Sequence, residues 1–199
     1  GNSERTLQVN SAIFYSEFTD FQLQEFNGVE FEVTNAGEVS SAGVEMELNW
    51  LPLPDLTLGL GITYAETEFD SHPGVNRQGD SLEGQQISHA PEWSAVGSLY
   101  FERNISALTG FISANASFMD DHNTDPKLND ETMVDSYTIV NSRIGLKSDD
   151  DNWSSYLWVN NIFDEEYHTG IFDTPLQEGS WSSFRGVPRT YGVAVEYLF

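Results

Sequence analysis

The stretch that decides the fold class is Tyr191-Gly192-Val193-Ala194-Val195-Glu196-Tyr197-Leu198-Phe199, the last nine residues of the chain. Successive side chains of a strand point to opposite sides, so strict alternation gives this stretch two different faces. Its apolar face comprises Tyr191, Val193, Val195, Tyr197 and Phe199. Aromatic residues stand at both ends of that face, and about nine residues is the length at which a tilted strand crosses a bilayer. The stretch therefore predicts a membrane-spanning β-strand.

Composition is compatible with a membrane protein built from strands but not from helices. No stretch approaches the roughly 18 consecutive apolar residues that a membrane-spanning helix requires. The mean hydropathy of -0.38 would suit a soluble protein. Transmembrane barrels have similar values because only alternate residues of each strand face lipid. The chain is therefore predicted to be all-β.

Charge and cysteine content exclude several classes of function. The net charge is -24, with 32 acidic and 8 basic residues, which argues against binding to nucleic acid or to anionic lipid. Cysteine is absent, so a disulfide framework, a zinc-thiolate site and a cysteine nucleophile are excluded. Aromatic residues make up 13% of the chain, which argues against disorder. The acidic residues are expected in solvated loops or a polar lumen.

Alternation and turn residues predict eight antiparallel strands. We place them at about 7–24, 29–50, 56–65, 88–103, 108–118, 137–147, 153–167 and 187–199. A turn is predicted at Asn27-Gly28, and a bulge is predicted at Asn35-Ala36-Gly37 within the second strand.

The predicted connections sort by length. Long polar loops cover 70–86, 119–135 and 168–186, whereas tight turns lie around Pro52, Asn104 and Asp150. Outer-membrane barrels have long extracellular loops at one rim and short periplasmic turns at the other. A soluble β-sandwich has no reason to sort its loops in this way. The alternative that stays open is a secreted acidic β-sandwich that binds carbohydrate through surface tryptophans.

Several motifs carry a family resemblance. Two segments near the end of the chain resemble the C-terminal end of TonB-dependent outer-membrane receptors. They are Val159-Asn160-Asn161-Ile162-Phe163-Asp164-Glu165-Glu166-Tyr167 and, further on, Gly186-Val187-Pro188-Arg189-Thr190-Tyr191-Gly192. Three earlier segments resemble earlier parts of the same barrels. They are Asn35-Ala36-Gly37, Gly43-Val44-Glu45-Met46-Glu47-Leu48 and Ala90-Pro91-Glu92-Trp93. The motifs occur in the family's order across nearly the whole chain.

The resemblance implies an architecture. Receptors of this family are barrels of about 22 strands whose lumen holds a plug. Residues 1–199 are therefore expected to be the C-terminal part of such a barrel, without the plug domain, the N-terminal strands or the segment that contacts TonB. The expected location is the outer membrane of a Gram-negative bacterium.

The resemblance also implies a function and partners. It implies TonB-energised uptake of a scarce ligand, such as a ferric-siderophore complex. Enzymatic activity is not expected, because the sequence contains no catalytic constellation. The expected partners are outer-membrane lipid, the barrel-assembly machinery, TonB through the missing N-terminal region, and the ligand. The assembly machinery is expected to read the closing strand, at Tyr191, Val193, Val195, Tyr197 and Phe199.

The third long loop contains the best candidates for ligand contact. Aromatic rings and an arginine fork suit a flat or anionic ligand. The alternative is that these side chains stabilise a loop folded over the barrel mouth or belong to the interfacial belt. The candidates are Phe172, Trp181, Phe184 and Arg185.

Metal and catalytic sites are not predicted. The four histidines, His72, His89, His122 and His168, share no metal-ligand spacing. The segment Asp120-Asp121-His122, with Asp125, could instead gather calcium through its carboxylate oxygens, although acidic runs in loops are usually only solvated. Glu45 and Glu47 share one face of a strand, but a wet lumen provides no closed, partly dry pocket of the kind that a catalytic carboxylate pair requires. Arg189 is expected to be structural.

Overall fold

The computed structural model describes residues 6–26, 30–75, 79–150, 152–174, 176–177 and 179–197. Within these ranges, no helix is long and apolar enough to cross a membrane. A single 3-10 turn, Asp130–Thr132, interrupts an otherwise all-strand arrangement of the described residues. The strands are β1 (Leu7–Phe26), β2 (Phe31–Leu53), β3 (Leu56–Ser71), β4 (Trp93–Ile105), β5 (Leu108–Met119), β6 (His122–Asn123), β7 (Met133–Val134), β8 (Tyr137–Ser148), β9 (Trp153–Asn160), β10 (His168–Asp173), β11 (Trp181–Arg185) and β12 (Thr190–Tyr197).

Eight of these strands form one antiparallel sheet, in the order β1-β2-β3-β4-β5-β8-β9-β12. Two small ribbons, β6 with β7 and β10 with β11, are inserted in the connections. The predicted eight-stranded antiparallel arrangement is confirmed. β1 and β12 form the two edges of the sheet, so these strands make an open wall rather than a closed barrel.

The connections lie at two opposite rims of the wall. Tight turns join β2 to β3, β4 to β5 and β8 to β9 at the turn rim. The connections 72–92, 120–136 and 161–189 lie at the opposite loop rim and are named the first, second and third loops. The predicted sorting of connections by length is confirmed, while the predicted turn at Asn27-Gly28 lies outside the described residues.

Several predicted strand ends are wrong. β4 begins at Trp93 rather than at 88, because His89 has a positive φ of 60° and Pro91 follows it. β9 ends at Asn160 rather than at 167, because Asn161 turns the chain with a φ of 52°. β12 begins at Thr190 rather than at 187, directly after Pro188-Arg189.

Two further details of the connections differ from the predictions. The turn between β4 and β5 falls at Ser106-Ala107 rather than at Asn104, and Ser106 has a φ of 63°. The second and third loops were predicted as long loops without strands of their own, yet they contain the ribbons β6 with β7 and β10 with β11.

The outward face of the wall is apolar across neighbouring strands. Leu157 of β9 pairs with Val193 of β12 on one side and with Ile144 of β8 on the other, and Ile144 pairs with Ile112 of β5. Val193 is 69% exposed and Leu157 is 57% exposed, so this row is not covered by protein. Uncovered apolar rows of this kind are suited to lipid. Phe199 lies outside the described residues.

An aromatic pair marks the outward face towards the loop rim. Tyr64 of β3 and Trp93 of β4 are register partners, and their ring centroids are 4.8 Å apart. Aromatic side chains at this level form the interfacial belt of a membrane barrel. The pair therefore marks the interface on the loop side.

On the inward face, aromatic rings of one strand pack over glycines of the neighbouring strand. Phe14 pairs with Gly43, and Trp158 pairs with Gly192, each pair joining neighbouring strands. A Cβ atom placed on Gly192 would meet the Trp158 indole at 2.7 Å, closer than real Cβ contacts. Glycine at these positions thus lets a large ring lie flat on the wall and fixes the register of the two strands.

A small hydrophobic core lies on the same inward face near the loop rim. It comprises Ala36, Val39, Phe69 and Leu82, with Phe21, Leu23, Ile87 and Leu128 packed against it. Leu82 and Ile87 belong to the first loop and Leu128 to the second, so both loops fold inward over the sheet. The predicted bulge is confirmed, since the register shifts opposite Asn35-Ala36-Gly37 and Gly37 has a φ of 87°.

We predict that Gly192→Ala destabilises the folded barrel by about 1–3 kcal/mol, because the added methyl group would meet the Trp158 ring at 2.7 Å and force it to shift. Urea unfolding of the full-length protein in detergent, followed by tryptophan fluorescence, measures this change. Gly97→Ala is the matched control, because nothing lies within 4 Å of a Cβ at Gly97. Equal midpoints for the two variants would contradict the role given to the Trp158 contact.

Candidate functional site

The first loop is held against β3 by backbone hydrogen bonds. The Phe69 amide donates to the Gln85 carbonyl over 3.0 Å, and the Gly84 amide donates back to the Phe69 carbonyl over 2.7 Å. The His72 ring contacts the Phe69 ring edge-on at 4.7 Å between centroids. The described part of this loop is therefore attached to the inward side of the rim.

The second loop is organised by buried polar side chains. The Asn123 amide nitrogen donates to the Asn129 carbonyl over 2.6 Å, while its Oδ1 accepts from the Thr132 hydroxyl and from the Asp125 amide, both over 2.8 Å. Asn129 is 1% exposed and Thr132 is fully buried. Because these side chains satisfy backbone groups that have no strand partner, the loop has a defined shape.

Single residues of the second loop join it to the other two loops. The Thr124 hydroxyl donates to the Ile171 carbonyl and accepts from the Ile171 amide, each over 2.9 Å. The His89 amide donates to the Asn123 carbonyl over 2.8 Å. Ile171 lies in β10 of the third loop and His89 in the first loop, so the three loops form one assembly at the rim.

Asn161 anchors the base of the third loop. It is 3% exposed, and its side-chain nitrogen donates to the carbonyls of Glu165 and Val187 over 2.9 and 3.1 Å. Its Oδ1 accepts from the Glu165 amide, and its own amide donates to Asn141 Oδ1. The Asn161 side chain thus ties the two ends of the third loop together, and its backbone amide attaches them to β8.

Arg189 completes this anchor and has the structural role expected from the sequence. Its backbone amide donates to Asp164 Oδ1 over 2.8 Å, and its guanidinium lies 3.5 Å from Asp164 Oδ2. Nearby, Gly186 lies against the Tyr167 ring, which stacks on Tyr137 at 4.4 Å between centroids. The motif that carries the resemblance therefore holds the third loop in place.

The four predicted ligand contacts all lie in the ribbon of β10 and β11. The rings of Phe172 and Phe184 are 5.2 Å apart, and Phe184 is 64% exposed. Trp181 pairs with Asp173, and Arg185 pairs with His168. By strand alternation, Trp181 and Arg185 lie on the opposite face of β11 from Phe184. The structure thus brings Phe172 and Phe184 together and separates them from the other two.

A cavity of about 360 Å³, named the rim cavity, lies where the three loops meet β1. Phe172 lines it, whereas Trp181 and Arg185 are not among the described residues that do so. Five lining residues are apolar, and His89, Asp125, Lys127 and Asp173 bring ionisable groups. The lining consists of Phe21, Leu23, Gln24, Ile87, Ser88, His89, Thr124, Asp125, Pro126, Lys127, Phe172 and Asp173.

Sequence reasoning missed this cavity because its walls come from four separate segments. One weak signal was present, since Asp125-Pro126-Lys127 places opposite charges around a proline within an otherwise acidic loop. Grooves of about 490 and 450 Å³ also run along the inward wall, lined largely by glycine, hydroxyl and amide groups. The rim cavity differs from both because it combines aromatic rings with charged groups of three loops.

Burial shifts the pKa values of two ionisable groups that line the cavity, Asp125 and His89. It raises the pKa of the Asp125 carboxyl, and the charge of Asp173 raises it further, while hydrogen bonds from the Lys127 backbone and the Asn129 amide act against this. Burial also lowers the pKa of His89, and the nearby His122 lowers it further. The centroids of the two imidazoles are 6.4 Å apart. The fold therefore favours neutral His89.

The described residues provide no group of three or more histidine or acidic side chains that could hold a metal ion. The calcium hypothesis for Asp120, Asp121, His122 and Asp125 accordingly gains no structural support. His122 Nδ1 instead lies 2.9 Å from the Asp120 carbonyl oxygen, and the Asp125 carboxylate accepts a hydrogen bond from the Asn129 side-chain amide.

The inward wall below the loops carries a second group of interacting side chains. Tyr100, Phe111 and Tyr156 form a row of rings with centroids 6.4 and 6.2 Å apart. Lys147 and Glu102 form an ion pair at 3.0 Å. Glu45 and Glu47 have the same inward parity by register, as predicted for lumen-facing residues.

Comparison with known proteins agrees with this geometry. A family model described as "TonB dependent receptor-like, beta-barrel" matches residues 2–162. The chain belongs to this family. Its receptors are outer-membrane β-barrels of Gram-negative bacteria, so the eight-stranded sheet is part of an outer-membrane barrel wall.

Individual relatives of this TonB-dependent receptor barrel are longer than the chain. The ferric-pyoverdine receptor PbuA of Pseudomonas sp. (strain M114) is 28% identical over 83% of the chain, which spans 19% of that receptor. The ferric yersiniabactin uptake receptor FyuA of Yersinia pestis has a TM-score of 0.79 at 18% identity, with 97% of the chain and 28% of FyuA covered. The siderophore receptor PiuA of Acinetobacter baumannii has a TM-score of 0.70 at 22% identity, with 96% and 26% covered. These structural likenesses show the fold.

Thr124→Val is expected to loosen the third loop. The substitution leaves the Ile171 amide and carbonyl without the hydroxyl that bonds both, at a cost of about 1–3 kcal/mol. Hydrogen exchange of residues 168–173 in the full-length protein should become faster. Thr138→Val, on the exposed outward side of β8, is the matched control. Unchanged protection of β10 in Thr124→Val would show that the loops are held together by other contacts.

Acid is expected to weaken the loop assembly through His89. Because the folded pKa lies below the unfolded value of about 6.5, this group stabilises the fold above that pH, and the contribution is lost as pH falls through the folded pKa. Hydrogen exchange of residues 120–136, corrected for intrinsic rates, should accelerate between pH about 7.5 and about 5.5. His89→Gln should reduce this acceleration, and His72→Gln should retain it. Equal pH responses in these two variants would refute the assignment.

Proposed function

We propose that residues 1–199 form the C-terminal part of the barrel of an outer-membrane receptor that imports a ferric-siderophore complex with energy supplied through TonB. The plug and the N-terminal strands would belong to the rest of the parent protein. The proposal is supported by the family membership and by relatives whose names state ferric-siderophore uptake.

The observation that carries the proposal is the inward folding of the first and second loops onto the polar side of a membrane wall, with the third loop joined to them through Thr124 and Ile171. Leu82, Ile87 and Leu128 pack on the inward face, so the rim cavity lies beside the path into the barrel. A ligand arriving from the loop side would meet this cavity before it met the wall below. Cavities that combine apolar walls with a few polar groups are the usual form of a small-molecule site.

We propose contact roles of two kinds for the four loop residues. Phe172 lines the cavity and Phe184 supports its ring, so these two are proposed as direct aromatic contacts. Trp181 and Arg185, on the opposite face of β11, would contact a ligand that spans both sides of the ribbon. The plug of the parent receptor would complete the site.

The remaining partners are proposals with different kinds of support. Lipid contact is supported by the exposed outward row that includes Ile144, Leu157 and Val193. TonB would engage the N-terminal region of the parent protein. The barrel-assembly machinery would read the closing stretch of the sequence at Tyr191, Val193, Val195, Tyr197 and Phe199, of which the first four lie in β12 and share its outward face by alternation.

The alternative function does not match the fold. A carbohydrate-binding β-sandwich requires two sheets packed face to face. The described residues form one eight-stranded sheet with two small ribbons, and its outward face is apolar. The family is one of receptors and transporters, and we propose no catalytic role for this chain.

Uptake of radiolabelled iron tests the proposed function. Deletion of the parent gene should abolish uptake of the cognate ferric siderophore, and the full-length gene supplied in trans should restore it. Disruption of tonB in the complemented strain should abolish uptake again while the receptor remains in the outer membrane. Undiminished uptake of a broad panel of ferric siderophores after the deletion would refute the proposal.

A further inference from the structure

We propose that the rim cavity binds a cationic arm of the ligand, with an ammonium or guanidinium group held by Asp125 and Asp173 beside the rings of Phe21 and Phe172. This inference rests on the function proposed above and adds the charge class of the substrate. It means that the receptor favours neutral or cationic ferric complexes over polyanionic ones.

The charge of the loop rim supports this selection. The described parts of the three loops contain thirteen carboxylates and only three basic side chains, Lys127, Arg185 and Arg189. Arg189 is paired with Asp164, and Arg185 lies on the face of β11 opposite Phe184. Of these three described basic residues, Lys127 alone lines the cavity. A field of this sign attracts cations and repels anions during approach.

The groups inside the cavity have the same negative balance. Asp125 and Asp173 bring two carboxylates against the single ammonium of Lys127. His89 adds no competing positive charge, because burial and His122 lower its pKa. Burial and the charge of Asp173 raise the pKa of Asp125, while the hydrogen bonds that it accepts from the Lys127 backbone and the Asn129 side chain, together with the charge of Lys127, act against this rise. A further cation would relieve the repulsion between the carboxylates, whereas a further anion would increase it.

The apolar walls suit the same arm. Phe21 and Phe172 supply rings, and a cation near an aromatic face is attracted by the ring quadrupole. Leu23, Ile87 and Pro126 supply walls for an aliphatic stem. At about 360 Å³ the cavity is small for a ligand site, which suits one arm of a ferric complex rather than the whole of it.

Binding of three matched probes to the full-length receptor in detergent tests the proposal. The first is a ferric trihydroxamate with a pendant primary ammonium, the second is its neutral N-acetylated derivative, and the third is a triply anionic ferric tris-catecholate. We expect the ammonium probe to bind about tenfold more tightly than the acetylated one, and the tris-catecholate to bind most weakly. Raising the salt concentration should reduce the ammonium preference.

Variants locate the preference within the cavity. Asp125→Asn combined with Asp173→Asn should abolish the difference between the ammonium and acetylated probes. Asp121→Asn makes the same kind of charge change in the second loop, outside the cavity lining, and should preserve the difference. Hydrogen exchange of residues 120–136 shows whether each variant keeps the loop fold. If the double variant fails to fold, the relative affinities of the three probes for the unaltered receptor decide whether the cavity prefers a cation.

Two results would overturn the proposal, and they differ in what else they imply. Binding of all three probes without preference for the ammonium, or a preference that survives the double variant, would remove the charge selection and leave the receptor function standing. Failure to bind any of a broad panel of ferric complexes, together with unimpaired iron uptake in the deletion strain, would remove both proposals.

Discussion

The hydrogen-bonded ladder of the eight-stranded sheet is the constraint on which the rest of the structure depends. A bilayer offers no partner to a backbone amide or carbonyl, so strands that cross it must satisfy each other. The ladder runs unbroken from β1 to β12. Once its register is set, alternation assigns every side chain to lipid or to lumen, and a shift by one residue would exchange the two faces.

Contacts on the inward face protect that register. Trp158 over Gly192 and Phe14 over Gly43 each join directly paired residues of neighbouring strands. A ring that lies flat on a glycine fits at one register only, because the adjacent positions carry side chains.

At the loop rim the ladder ends, and short polar side chains replace it. Asn123, Thr124 and Asn161 bond to backbone groups that would otherwise be buried without partners. The loops can therefore fold inward over the wall and enclose a cavity without the support of further strands. The same loops contribute the carboxylates of Asp125 and Asp173 to the lining, so the loops that shape the cavity also set its charge.

The sequence by itself determined the all-β class, the eight strands, the sorting of long loops and short turns, and the bulge at Asn35-Ala36-Gly37. These features are local, because period-two alternation and turn residues are read within one strand and its neighbours along the chain. Strand ends at His89 and Asn161 were misjudged, since a positive φ at a non-glycine residue follows from contacts that the periodicity does not carry. The motif around Asn161 and Arg189 indicated the family, but only the fold showed that it anchors the third loop.

The tertiary structure alone decided which loop residues meet. Phe172 and Phe184 were foreseen as aromatic candidates, yet their separation from Trp181 and Arg185 depends on the pairing of β10 with β11. Phe21, His89, Asp125 and Phe172 line one cavity although they are far apart along the chain. Loops have no hydrophobic period that predicts such meetings, because their positions depend on hydrogen bonds between segments rather than on the alternation of side chains within one.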